Sequence, residues 1–152
     1  MTAPESSLPG PDRSPGFLLW RVTLAWQRVM RAALAPHELT HVQFVLLTTT
    51  WWLTRSGEPP TQRQLAEQAG TDTMMTSQVV RKLADRGLLA RADDPSDARA
   101  KRLRVTPAGL EVVAAALKDV EAADASFFGK LGGRGDAFVT ALADLSVPGS
   151  PG

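Results

Sequence analysis

The sequence predicts a mainly α fold with a small β-hairpin wing, and three observations point to it. Between Thr61 and Thr106, two short helical stretches meet at a tight turn containing Gly70. A basic stretch follows and folds back on itself around the turn residues Asp93-Asp94-Pro95-Ser96-Asp97. Longer apolar helical runs flank this core on both sides. Two helices, a turn and a hairpin are the layout of a winged helix-turn-helix.

The chain of 152 residues is long enough for one domain with a real core, and 43% apolar with 22% charged residues is ordinary for a globular protein. It has no cysteine, which removes disulfides, thiolate catalysis, Cys-ligated zinc and thiol-based redox sensing together. The longest apolar run, Phe44 to Leu53, is broken by three threonines and falls short of the roughly 18 residues a membrane span needs. The N-terminus carries Glu5 and several prolines instead of a basic segment and an apolar stretch, so the expectation is a cytoplasmic protein without a signal peptide and without membrane contact. No cofactor and no enzymatic activity are expected.

The net charge is +1, but it is unevenly spread. Arg81 to Arg104 holds eight Lys/Arg against four Asp, a surplus of four, which leaves the rest of the chain at −3. Positive charge concentrated on a near-neutral protein points to a polyanion as partner.

Residues 1–16, with Pro4, Pro9, Pro11 and Pro15, and residues 146–152 (SVPGSPG) are too poor in apolar side chains to offset their ordering entropy, and both are expected to be disordered tails. Phe17 to Leu34 has helical period, with Leu19, Val22, Trp26, Val29 and Ala33 in one stripe that Trp20 and Leu24 widen. Leu39 to Leu53 is likewise apolar on several sides. A helix apolar all round must be covered all round, and a second copy of the chain can cover these.

Start signals then recur. Thr40-His41-Val42-Gln43 and Thr61-Gln62-Arg63-Gln64 each fit a capping box, and Thr106-Pro107 supplies an N-cap followed by proline at the first helical position. The last long helix shows Leu110, Val113, Leu117 and Val120 at helical spacing. Gly129 to Gly135 breaks it, and Asp136 can cap a final helix with Phe138, Leu142 and Leu145 inward.

The helix from Thr73 to Arg86 sorts by angle at about 100° per residue. Met75, Val79 and Leu83, with Thr76 and Val80, form the inward face; Met74, Ser77, Gln78 and Arg81 fall on the opposite one. That outward stripe carries the amide and guanidinium groups that read base edges in a major groove. Gly87 stops the helix. Strands at Leu88 to Ala92 and Lys101 to Val105 follow, with Leu103 and Val105 inward. Arg99 sits near the hairpin tip, suited to a narrow minor groove, with Asp97 as its orienting carboxylate. Lys101 and Arg102 are placed for phosphates. Thr61, Gln62, Thr73 and Lys82, at helix starts or beside the reading face, complete the expected DNA-contact set.

These residues carry a resemblance. Leu39-Thr40-x-x-Gln43-Phe44, Arg86-Gly87-Leu88-Leu89-x-Arg91, and Asp94-Pro95-x-Asp97-x-Arg99 through Leu103-x-Val105-Thr106 match motifs of the MarR family of bacterial transcription regulators, which the chain resembles from Phe17 to Leu145. The resemblance implies a single domain over 17–145. Its dimerisation helices would lie at 17–38 and 107–145, flanking a winged-helix DNA-binding lobe at 39–106. It implies a homodimer whose first and last helices interlock, a recognition helix at Thr73 to Arg86 and a wing tip at Asp97 and Arg99. It further implies a repressor on a pseudo-palindromic double-stranded DNA operator, released by a small aromatic or phenolic effector. The chain departs from the family pattern at Met74 and Met75, where small hydroxyl residues are common.

A winged helix can serve as a protein-interaction module without binding DNA. His37-Glu38-Leu39-Thr40-His41 spells the zinc-protease string H-E-x-x-H, which needs both imidazoles on one face of one helix. Pro36 and the Thr40 cap put His37 before the helix, so a zinc protease is not expected, and what stays as the alternative is a metal-responsive protein holding a regulatory ion with His37, His41 and a carboxylate. Trp20, Trp26, Trp51 and Trp52 cluster in the first two helices. Should they line an effector pocket, Trp20, Arg21, His41 and Trp51 are the residues expected there.

Overall fold

The computed structural model describes residues 1–146, the side chain of Ala98 excepted, so all of the expected C-terminal tail but Ser146 lies outside the described residues. The order of elements is α1 (Pro15–Leu34), α2 (His41–Ser56), α3 (Gln62–Ala69), α4 (Thr73–Asp85), β1 (Leu89–Asp94), β2 (Asp97–Val105), α5 (Pro107–Phe128) and α6 (Gly135–Leu145), with short 3-10 turns before α1, after α1 and before α6. Among the described residues no helix is long and apolar enough to cross a membrane.

Local chemistry accounts for most boundaries. The hydroxyls of Thr40 and Thr61 accept from the amides of Gln43 and Gln64, whose side chains reach back to the capping amides, so both expected capping boxes are complete. Such a cap is worth about 1 kcal/mol. Gly70 and Gly87 end α3 and α4 with φ of +71° and +74°, where a side chain would be strained. Helix α1 starts earlier than expected. Ser14 accepts from the Phe17 amide and Pro15 takes the first helical position, so part of the proline-rich segment is helical instead of disordered.

The core is one apolar cluster. Met30 and Leu34 of α1 meet Phe44, Leu46 and Leu47 of α2, Leu65 of α3, Val79, Val80 and Leu83 of α4, Leu103 and Val105 of β2, and Val113, Ala116 and Val120 of α5. Fully burying each Val, Leu, Phe or Met side chain among them contributes about 1.5–3 kcal/mol. Gly109 lies where α5 crosses the root of the hairpin, and a Cβ there would stand 2.2 Å from the Leu88 carbonyl oxygen. Thr106 fastens the same corner, donating to the Gly87 carbonyl at 2.6 Å and accepting from the Gly109 amide at 3.0 Å.

Two apolar helix faces are open, that of α1 as the need for a covering copy implies, and that of α6 against the expectation that it packs inward. The N-terminal half of α1 exposes Phe17, Leu18, Leu19, Trp20 and Val22; Trp26 is the first of its large apolar side chains packed against the core, and Met30 the first that is buried. On α6, Leu145 is 81% exposed and Leu142 is also open, because α6 packs mainly against the turn before it, with Phe138 on Phe128 at 5.8 Å.

Candidate nucleic-acid interface

The hairpin is longer than expected. Its strands pair from Leu89↔Val105 to Asp93↔Lys101, and then Asp94 pairs with Asp97. One step on β1 thus spans four residues on β2, so residues 98–100 bulge out and carry Arg99 with them. The Asp97 carboxylate accepts from the Arg99 amide at 2.9 Å. It orients the main chain of the bulge, not the guanidinium as expected.

Arg102 also departs from expectation. It is half-buried, its guanidinium donating to the Pro59 carbonyl at 2.6 Å and lying 3.4 Å from Glu58 and 3.2 Å from Asp94. These partners use its charge and direction, which makes it a brace between the hairpin and the segment before α3 instead of a free phosphate ligand. Asp94 is itself buried. The Ser96 amide and hydroxyl, with Arg102 assisting, hold its carboxyl below the ordinary 3.8. The brace lies beside a backbone pairing not foreseen from sequence, in which the Leu103 amide donates to the Pro60 carbonyl at 2.8 Å and Thr61 bridges to Arg102. Lys101 pairs with Asp93 across the hairpin yet stays half exposed.

Between α3, the start of α4 and β2 runs an open cleft of about 1010 Å³. It brings together Thr61, Gln62, Thr73, Asp97, Arg99, Lys101 and Arg102 of the expected set. The outward face of α4 presents Met74, Gln78, Arg81 and Lys82 to solvent, with Ser77 half-buried among them. Among the described residues neither Arg81 nor Arg99 makes an ion pair. The inward face holds Thr76, Val79, Val80 and Leu83, as the angular sorting requires. Met75 corrects that sorting. It is 42% exposed, on the flank of the helix and outside the core, because Thr76 fills the first inward position and hydrogen-bonds the Asp72 carbonyl at 2.7 Å.

Arg86 closes the other end of α4. It donates to the Glu38 carbonyl at 2.8 Å and to the Gln43 side chain at 3.3 Å, so the residue following α4 is tied to the cap of α2. Glu38 adopts φ of +54° there.

The four residues expected at an effector pocket do not converge. Trp51 lines a cleft of about 460 Å³ with Trp52, Arg55, Leu117 and Glu121, its ring 4.9 Å from the Arg55 guanidinium, and none of the other three lines that cleft. Trp20 is 62% exposed on α1, and Arg21 faces Asp12 at 3.9 Å. His41 packs edge-on against Trp26 at 5.0 Å, and Trp26 donates to Asp124 at 2.8 Å, so α1, α2 and α5 meet in one chain of contacts. Burial holds the His41 imidazole below its ordinary 6.5, Asp124 opposing the shift and Arg31 adding to it.

The H-E-x-x-H string does not form a helix face. His37 sits in the 3-10 turn, 2.6 Å from Asp119, Glu38 is left-handed, and only His41 lies in α2. Among the described residues no three His, Cys, Asp or Glu side chains are grouped to hold a metal ion.

The MarR family model matches residues 39–101, from the start of the α2 cap to the return strand of the hairpin. The HTH-type transcriptional regulator YdcH of Bacillus subtilis is 48% identical over 123 residues, covering 81% of this chain and 84% of that protein. Among solved structures, BpsR of Bordetella bronchiseptica, whose DNA binding 6-hydroxynicotinic acid regulates, superposes with a TM-score of 0.81 at 25% identity, over 95% of this chain and 99% of its own. CouR of Rhodococcus jostii, solved with p-coumaroyl-CoA, gives a TM-score of 0.79 at 28% identity over 95% and 100% of the two chains. CouR is also solved on a 23-mer DNA duplex. The family match, the 48% identity to YdcH and the shared fold together show that this chain belongs to the MarR family of winged helix-turn-helix transcription regulators.

Proposed function

We propose that the chain is a ligand-responsive repressor that binds a pseudo-palindromic operator as a homodimer in the cytoplasm, through α4 and the hairpin. The observation that carries this is the cleft joining α3, α4 and β2, which sets Arg99 and Lys101 across from Asp72 and Thr73 at the start of α4, the helix that exposes Gln78 and Arg81. Arginine and lysine on a bulged hairpin meet phosphates and the minor groove, while Ser77, Gln78 and Arg81 meet base edges. The exposed apolar side chains of α1 and α6 support the dimer. Phe17, Trp20, Val139 and Leu145 left in water are a liability for one chain and an interface for two. The dimerisation helices are then residues 17–38 and 107–145, and residues 39–106 form the DNA-binding lobe.

The effector site is the cleft at Trp51, where an aromatic wall and the Arg55 guanidinium suit a small aromatic anion. BpsR and CouR respond to or bind aromatic acids or their thioesters, which supports that class.

Selection of bound duplexes from a random pool tests the reading. The expected product is an inverted repeat with half-sites about one helical turn apart, roughly 34 Å, bound at two chains per duplex in sedimentation. A pool that yields no enriched repeat contradicts it.

A further inference from the structure

The outward face of α4 carries one side chain that cannot hydrogen-bond to a base edge. Met74 is 72% exposed, the second residue of α4 behind its Asp72 cap, and shares that face with Ser77, Gln78 and Arg81. An unbranched thioether there offers no donor and only a weak acceptor. It gains nothing by standing in water, and against a polar base edge it would displace water without replacing the lost hydrogen bonds.

We propose that Met74 reads the C5-methyl group of a thymine in each half-site of the operator. The inference rests on α4 being the DNA-reading helix. Its position follows from the general docking of such helices, whose N-terminal residues meet the base edges. Its chemistry follows from the groove. Guanine, adenine and cytosine present only acceptors and donors on their major-groove edges, and thymine adds the one apolar group of unmodified DNA. Three free side-chain torsions and a polarisable sulfur let methionine settle onto a methyl group without a fixed geometry. The neighbours divide the remaining work, with Gln78 and Arg81 supplying hydrogen bonds that Met74 cannot. The surrounding charge favours DNA as the occupant over an apolar protein surface, because Arg81 and Lys82 lie on the same helix and Arg99 across the cleft. A 5-methylcytosine offers the same group, so the recognised chemistry is a pyrimidine C5-methyl, and thymine is its source in unmodified DNA.

The test uses the full chain and the duplex recovered by selection, with each thymine replaced in turn by deoxyuridine. That exchange removes one methyl and leaves base pairing intact. Wild-type protein is expected to lose about fourfold in affinity at one thymine per half-site, the worth of one buried methyl group. Met74→Ala is expected to bind the thymine and uracil duplexes equally at that position, with an unchanged thermal midpoint because the side chain is exposed. Gln78→Ala is expected to keep the thymine preference. Placing 5-methylcytosine in place of cytosine at that position should recover affinity for wild type and not for Met74→Ala. The proposal is overturned if every uracil substitution is neutral, if Met74→Ala keeps the discrimination, or if the selected half-sites contain no thymine. Failure to bind any duplex would overturn the DNA-reading assignment of α4 itself, an outcome distinct from binding that ignores the methyl group.

Discussion

Arg102 reaches the buried carboxylate of Asp94 at 3.2 Å while its other contacts run to Glu58 and Pro59. One guanidinium therefore holds both strands of the hairpin against the segment that starts α3. The root of the hairpin is thereby fixed, and Arg102 has its charge engaged within the protein, whereas Arg99 makes no ion pair among the described residues.

That division of labour separates Arg102 from Arg99 without any DNA present. In Arg102→Ala, amide exchange across residues 93–103 should quicken by about tenfold or more, because local opening of the hairpin loses its restraint. Arg99→Ala, in the exposed bulge, should leave the exchange unchanged. Equal protection in the two variants would return Arg102 to the role of a phosphate ligand.

Gly109 admits no side chain. A methyl group there meets the Leu88 carbonyl oxygen at 2.2 Å and Val105 at 2.7 Å, and one of the two neighbours is backbone. Gly109→Ala should cost about 1–3 kcal/mol through overpacking, despite the better helix propensity of alanine. Urea unfolding measures it; a neutral or stabilising outcome would mean that α5 and the hairpin root move apart freely.

His41 sets a pH dependence. Its folded pKa lies below the ordinary 6.5, chiefly through burial. The unfolded chain then holds the proton more tightly than the folded one. The contribution of neutral His41 is full above about 6.5 and is lost as pH falls through the lower folded value. Stability should decline on the acid side by at most about 1.4 kcal/mol per pH unit from this one proton. His41→Phe, which retains an edge for Trp26, should show a shallower decline between pH 7 and 5 in denaturant titrations. Parallel curves for the two proteins would remove His41 as the cause.

The Arg86 tie predicts a smaller effect. Arg86→Ala frees the Glu38 carbonyl and the Gln43 side chain on an exposed surface, and should cost about 1 kcal/mol. Thermal melts should also show Arg86→Lys failing to restore it, since one ammonium cannot reproduce the fork of a guanidinium.

What was legible in the sequence was what depends on residues three or four apart. The capping boxes of Thr40 and Thr61, the stop at Gly87 and the inward set Thr76, Val79, Val80 and Leu83 all follow from local spacing, and the structure contains each. Met75 was misplaced because it lies at the edge of a face, where only the packed neighbour decides. The brace from Arg102 to Glu58 spans 44 residues and the Trp26–Asp124 bond spans 98, and no local pattern announces either. The bulge at residues 98–100 depends on strand register, which the loop composition alone left open. The open faces of α1 and α6 were legible as apolar stripes, but what covers them is not a property of one chain.

The proposed division is that α4 specifies sequence while the hairpin supplies charge. Measuring affinity for the selected duplex and for a scrambled one across a salt series, with wild type, Gln78→Ala and Arg99→Ala, tests it most directly. Wild type should prefer the selected duplex by roughly a thousandfold or more and weaken steeply with salt. Arg99→Ala should weaken both duplexes alike and flatten the salt slope by about one per chain, while Gln78→Ala should lower the preference and keep the slope. Affinity that is absent or indifferent to salt, or variants that exchange these two effects, would contradict this division between helix and hairpin.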